Sequence, residues 1–246
     1  MNPLTRLVIA AATTVAALTI SGYVSLTALL VVAVVAPAIA AHVAARVVRR
    51  TILVAAPVII AVVLVAALTR AGTHVLFVIG PFDVTAEGMD FAARITLRLI
   101  VMAGALVLFG LTTPVRSVVA DLERRGVSPG LTYAVASTLD AAPRMLERGR
   151  TIRDAQRSRG LDTEGSIGAR LRGVLPLAGP AVLGAIHDVE GQTLALETRG
   201  FGRPGRRHVL WAPTDSQAER VVRWALIAAV VMLVAGTAAG AIPPLP

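Results

Sequence analysis

Residues 4–40 are an almost uninterrupted run of Ala, Val, Leu, Ile and Thr, thirty-seven positions with Arg6 near their start and breaks at Ser21-Gly22-Tyr23 and later at Pro37. One membrane crossing needs about 20 apolar residues, so the run is too long for one span. The Ser-Gly-Tyr break divides it into two helices of about 17 residues each, which predicts a hairpin with both ends on one side. Arg6 precedes the hairpin and Arg46, Arg49 and Arg50 follow it. Basic residues concentrate on the cytoplasmic side, so both ends of the hairpin and the N-terminus are expected inside. The run exceeds a signal-peptide core and continues into a second span, so the first helix is expected to be retained.

Thr51–Leu68 predicts a third span leading outward, with Pro57 tolerated where neighbouring helices re-satisfy the freed carbonyl. Residues 71–90 follow as an outside loop that holds Asp83, Glu87 and Asp90, and Phe91–Thr113 returns inward. Arg94 and Arg98 sit in the first turns of this fourth span, where each is expected to snorkel to headgroups or to meet a neighbouring subunit. Asp90 is placed to pair with Arg94. Trp224–Ala241 is the last span, with Gly236 and Gly240 as a small-residue packing face.

Composition agrees with a membrane protein. At 55% hydrophobic and 16% charged residues, the chain has too little polar surface to coat a soluble globule. Cysteine is absent, which excludes disulfides and thiolate chemistry. All 24 basic residues are arginine, so the lysine of a phosphate-binding Walker loop is missing and ATP hydrolysis by that route is excluded. The net charge of +9 fits basic cytoplasmic loops, and no nucleic-acid partner is expected.

From Arg116 to Arg223 the character changes, with 17 of the 24 arginines and 12 of the 15 acidic residues. Here the apolar positions are spaced rather than continuous, which predicts a cytoplasmic helical domain inserted before the last span. The expected fold is therefore an all-α integral membrane protein of about five spans, divided into 1–115, 116–220 and 221–246. Gly and Pro punctuation divides the polar domain into helices over about 131–159, 167–178 and 181–199.

Two of these helices end alike: Ala-Gln-Arg-Ser-Arg-Gly at 155–160 and Ala-Leu-Glu-Thr-Arg-Gly at 195–200. An arginine before a C-terminal glycine offsets the negative end of the helix dipole, and one copy needs no other explanation. The pair shares its alanine offset as well, so Arg159-Gly160 and Arg199-Gly200 are expected to reach two equivalent docking sites on a partner. An acidic or carbonyl-lined groove would receive a guanidinium well. Ala155, Arg157 and Ala195 are candidates for secondary contacts.

These motifs resemble those of the transmembrane T component of energy-coupling factor (ECF) transporters, the EcfT/CbiQ family, over essentially the whole chain. The resemblance rests on Asn-Pro-Leu-Thr-Arg-Leu at 2–7, similar to that family's Asp-Pro-Arg-Thr-Lys-Leu start, and on Thr85-Ala-Glu-Gly88 and Thr112-Thr-Pro114. Leu122-Glu-Arg-Arg-Gly-Val-Ser-Pro129 and the two A-x-x-x-R-G ends complete it. It implies that 116–220 is a coupling domain whose arginine ends dock on two ABC-type ATPase subunits. A separate substrate-binding membrane S component would carry the vitamin or transition-metal ion. The chain itself would be non-catalytic, with no cofactor and no metal, in the cell membrane.

Two other readings stand beside this one. A membrane enzyme would use His42, His74, His187 or His208, but no H-E-x-x-H spacing is present, and His187 with Glu190 reads as a surface pair. A non-transport scaffold or anionic-lipid-binding protein would use its arginines on headgroups of the bilayer. Lipid-binding charges crowd span ends, whereas Arg159 and Arg199 terminate internal helices.

Overall fold

The computed structural model describes residues 1–69, 74–79, 82–160, 167–203 and 215–239. Met1–Val118 together with Pro213–Pro246 make one compact unit, and Val119–Ala212 make a second. The first unit begins with α1 (Pro3–Thr19). The run Tyr23–Ala40 follows, made of α2 (Tyr23–Leu30), a π-helical turn (Val31–Val35) and α3 (Ala36–Ala40). Then come α4 (Ala44–Thr69), strands β1 (Val75–Ile79) and β2 (Phe82–Thr85), and α5 (Ala86–Thr112). The short α6 (Val115–Arg124), α7 (Pro129–Ser158) and α8 (Ile167–Thr198) follow, and α9 (Gln217–Ala238) completes the first unit.

Among the described residues, Tyr23–Ala40, Ala44–Ala66, Ala86–Thr112 and Gln217–Ala238 are long and apolar enough to cross a membrane. The 17-residue α1 is a fifth, shorter apolar helix. Large apolar side chains face outward on them, Val24 at 77% exposure and Met232 at 73%, an arrangement that suits hydrocarbon as solvent. The chain is thus an all-α membrane protein, with one small antiparallel hairpin as its only strand pairing among the described residues.

Helix starts lie earlier than hydropathy predicts. α4 begins at Ala44 rather than Thr51, α5 at Ala86 rather than Phe91, and α9 at Gln217 rather than Trp224. Caps decide the starts of α5 and α9. Thr85 Oγ1 accepts the Gly88 N–H at 3.2 Å, and Ser216 Oγ accepts the Glu219 N–H at 3.2 Å. Polar first turns then project beyond the apolar stretch. The expected loop at 71–90 also contains the hairpin, in which Val78 pairs with Asp83 and Ile79 with Phe82.

The core of this unit is thin and built of small contacts. Ala17, Leu26 and Val101 form one cluster, while Val34, Ala38, Val47, Ala105 and Leu108 belong to another. Gly104 of α5 lies against the π-helical turn so closely that a Cβ there would meet Val34 Cγ1 at 3.0 Å. A small residue is what allows α5 to approach at that point.

A polar knot ties α1 to α9. Asn2 caps α1 through its side chain, accepting the Leu4 N–H at 2.9 Å, while its own N–H donates to the Glu219 carboxylate at 3.1 and 3.2 Å. An acid is usual at this position in the resembled family, and the amide here avoids adding a negative charge beside Glu219. Arg223 donates to both Asp215 oxygens at 2.8 and 2.9 Å and to Thr5 Oγ1 at 3.0 Å. Both charged side chains are almost fully buried. Arg6 donates to the Thr112 carbonyl at the end of α5.

Arg94 and Arg98 find their partners within the chain. Arg94 pairs with Asp90 at 2.7 Å, as expected, and also lies over the Tyr23 ring, 5.2 Å from its centroid. Tyr23 donates to Asp90 Oδ1 at 2.7 Å. Arg98 donates to the Ile20 carbonyl at 2.8 Å, satisfying the open end of α1. Together they fasten the turn of the first hairpin to α5.

In the second unit, α8 runs as one helix through Pro180, where the sequence predicts two helices meeting. A proline removes one hydrogen bond and crowds the preceding turn, which bends a helix without obliging it to stop. The predicted stripe at Ile167, Leu171 and Val174, the linker from 204 and the second glycine of the 236/240 pair lie outside the described side chains. α7 likewise continues through Pro143.

Candidate functional site

Both predicted arginine ends close their helices with a left-handed glycine. α7 ends at Ser158 with Arg159 as its C-cap, and Gly160 has φ +88°. Gly160 N–H donates to the Arg157 carbonyl at 2.9 Å. α8 ends at Thr198, Gly200 has φ +70°, and the Gly200 and Phe201 N–H groups donate to Glu197 and Leu196 at 2.9 Å. Such φ values favour glycine, and the bonds satisfy the last carbonyls. The helices therefore stop where the arginines can point off their ends.

A third arginine–glycine end supplies a contrast that sequence reasoning missed. α6 stops at Arg124, Gly126 has φ +93°, and Val127 N–H donates to the Leu122 carbonyl at 3.2 Å. Its Arg125 is used internally, bonded to Asp121 at 2.8 Å, and Asp121 is fully buried. Asp121 stands four residues before Arg125, where Ala155 and Ala195 stand before Arg159 and Arg199. That offset is one turn of helix, the reach of a side-chain ion pair. The alanines leave Arg159 and Arg199 with no such partner, and both arginines are exposed without a hydrogen bond or ion pair to a described residue. Ala155 and Ala195 are exposed too, while Arg157 is half-buried and already engaged.

The two ends lie far apart. α7 and α8 run antiparallel: Tyr133 packs on Phe201 at 5.1 Å between ring centroids and donates to Gln192 Oε1 at 3.3 Å, while Arg148 meets Asp188 further along. The Arg199 end therefore lies near Tyr133, 26 residues before Arg159. At 1.5 Å per residue that is about 39 Å of helix. One small partner site cannot take both.

Between the ends sits a cross-helix pin. Arg148 donates to both Asp188 oxygens at 2.6 and 3.1 Å, and its side chain lies over Gly184, where an added Cβ would meet Nη1 at 3.1 Å. The Arg148 hydrogen bond holds the Asp188 carboxyl below its ordinary value, against a smaller opposing effect of desolvation. The folded value is the lower one, so the pair contributes above the usual carboxylate pKa near 3.9 and is lost only as pH falls through the lowered value. Near neutral pH it stays closed.

This pin has a direct test. Because the chain has no cysteine, spin labels at Ser158→Cys and Thr198→Cys report the spacing of the two ends cleanly. Arg148→Asp or Asp188→Arg alone should broaden that distance distribution, and the two together should narrow it again. A distribution unchanged in either single variant contradicts the pin.

Of the four histidines, His208 lies outside the described residues. His187 Nδ1 lies 3.4 Å from Glu190 Oε2 with both side chains exposed, the surface pair expected. Among the described residues no group of three His, Asp or Glu side chains could hold a metal ion.

A sequence profile of CbiQ, described as a cobalt transport protein, matches residues 1–209. The energy-coupling factor transporter transmembrane protein EcfT of Leuconostoc gelidum subsp. gasicomitatum is 30% identical over 148 residues, 56% of this chain and 55% of that protein. The EcfT of Limosilactobacillus fermentum is 28% identical over 171 residues, 64% of each. A putative ABC transporter ATP-binding protein of Bifidobacterium longum is 25% identical over 177 residues, 68% of this chain and 22% of that protein. The chain spans between half and two thirds of the EcfT relatives it matches. The profile takes in both arginine ends as well as the membrane helices before them, and on that breadth of match the chain belongs to the CbiQ family of cobalt transport proteins.

Proposed function

We propose that this chain is the energy-coupling membrane component of an ECF-type, ATP-driven importer in the cell membrane, with its N-terminus and its 116–220 domain on the cytoplasmic side. Arg159 and Arg199 each enter a groove on one of two ABC-type ATPase subunits, with Gly160 and Gly200 setting their angle and Ala155, Arg157 and Ala195 beside them. ATP-driven movement of those grooves shifts α7 and α8, and a membrane S component holding a vitamin or transition-metal ion responds. Catalysis belongs to the ATPases.

The observation that carries this reading is the pair of exposed arginine ends that lack the internal acid present at the α6 end. Their separation of about 39 Å along the helix suits two receiving subunits rather than one. The match to a protein named for ATP binding supports an ATPase partner, since a stretch like this chain makes up 22% of it. Exposed Leu131, Val135 and Leu139 on α7, spaced by one turn, and Val182, Ile186 and Val189 on α8 offer apolar faces for the membrane partner.

Purification of the tagged chain in mild detergent should bring with it two ATPase subunits and a small membrane protein. Ala155→Asp together with Ala195→Asp should lower the ATPase recovered severalfold, because each new carboxylate captures its arginine as Asp121 captures Arg125. Full recovery with both aspartates in place argues against arginine docking, and a preparation free of ATPases argues against the reading as a whole.

A further inference from the structure

Beyond α8 the chain folds back over the helix end it has just left. Arg203 N–H donates to the Gly200 carbonyl at 3.2 Å. Gly202 has φ +91°, while Phe201 before it stays out of the left-handed region. Residues 200–203 therefore close a type II β-turn, whose third position requires a positive φ and so a glycine. The turn is anchored at its second position, where the Phe201 ring packs on Tyr133 of α7. So held, it lays the stem of Arg203 across Gly200, where an added Cβ would meet Cδ at 3.2 Å and Nε at 3.4 Å. Gly200 thus does more than end its helix: its bare Cα leaves the room in which a second arginine lies.

Two arginines therefore share one glycine. Arg199 and Arg203 are both exposed, and neither side chain bonds to a described residue. Glu197, the nearest acid in the sequence, is exposed and pairs with neither. Other arginines of this unit do take an acid, Arg148 pairing with Asp188 and Arg125 with Asp121. Like charges held close repel, and a turn that keeps them together without a counter-charge leaves both forks open to an anion from outside. The α7 end differs in charge. Gly160 is followed by Leu161-Asp162-Thr163-Glu164, two acids, and by no arginine before Arg170.

We propose that Arg203 is a second docking residue, so that the α8 end enters an acidic groove of its ATPase subunit as a two-arginine clamp while the α7 end enters with Arg159 alone. This rests on Arg199 docking on an ATPase subunit. Each planar guanidinium can grip a carboxylate through two parallel hydrogen bonds, and two of them on one turn suit a groove that presents two acids. The unequal charge also sets orientation. Complementary potentials fix register and suppress wrong pairings, so the α8 end seats in the more acidic of two unlike grooves.

The test uses the full chain purified in mild detergent together with the ATPase subunits that accompany it, and reads the dissociation constant of their complex. Arg203→Gln should weaken it about tenfold, as expected for one charge-assisted contact, and should make it less sensitive to NaCl. The Arg203 side chain bonds to no described residue, so the melting temperature should stay at that of the wild type. Gly202→Ala keeps every charge but strains the turn that carries Arg203, and a comparable weakening is expected. The effects of Arg203→Gln and Arg159→Gln, at opposite ends, should multiply, whereas those of Arg203→Gln and Arg199→Gln, in one groove, should not. Wild-type affinity in Arg203→Gln beside weak binding in Arg199→Gln overturns the clamp and leaves docking by Arg199 standing. Wild-type affinity in both Arg199→Gln and Arg159→Gln overturns the docking reading itself. If Arg203→Gln loses retention on phosphatidylglycerol vesicles and keeps its ATPase affinity, the arginine serves the membrane and the clamp is equally overturned.

Discussion

A chain carrying Arg159→Glu and Arg199→Glu together is expected to insert into the membrane normally, to lose its ATPase subunits on purification and to support no uptake. Each charge-assisted hydrogen bond lost costs about 1.5–3 kcal/mol, or roughly a 10- to 150-fold weakening, and reversal of charge adds repulsion from an acidic groove. The single exchanges should be milder, because the ends lie too far apart to share a site and one arm can still hold one subunit. Both arginines are exposed at helix ends and bond to no described residue, so the variant should keep its fold. Normal uptake by a correctly inserted double variant would remove the docking role altogether.

Arg223→Met is expected to have the largest effect on stability. Breaking a buried ion pair from one side strands the other charge and costs about 3–5 kcal/mol. Here it strands Asp215 and also strips a donor from Thr5, so α1 and α9 should separate at that end. Arg220, 3.9 Å from Asp215, can recover a part of the loss. Replacing Asp215 with Leu in the same chain should restore much of the stability, since a well-packed apolar pair in place of a buried ion pair is often near neutral. Thermal unfolding in detergent, followed by size-exclusion profile, reads both variants. A melting point for Arg223→Met equal to that of the wild type contradicts a structural knot.

This knot marks where sequence reading stops. Thr5 and Arg223 stand 218 residues apart, and neither periodicity nor composition links positions so distant. Arg98 is similar, since its acceptor is a backbone carbonyl that carries no side-chain signature. The apolar spans were legible because hydrocarbon as solvent demands unbroken runs, but their starts were not, because caps such as Thr85 and Ser216 can sit several polar residues ahead. Proline usually ends helices in water, which places a stop at Pro180, yet α8 passes it. The hairpin was legible in principle: Val75–Ile79 and Phe82–Thr85 are rich in β-branched and aromatic residues around Gly80-Pro81. At the candidate site, the two arginine ends were visible from their repetition. The meaning of their alanines was not, until α6 showed what an aspartate at that offset does.

The position of the Arg148–Asp188 pin has a mechanical consequence. Arg148 precedes Arg159 by eleven residues, and Asp188 precedes Arg199 by eleven, so pin and ends share one forty-residue offset between the two helices. Each arm is then about 16 Å long. A push of given size at either arginine exerts the same torque on the joint, as on a balance with equal beams. Inserting one helical turn between the pin and a single arginine would lengthen one beam by about a third and leave the two sides unevenly geared.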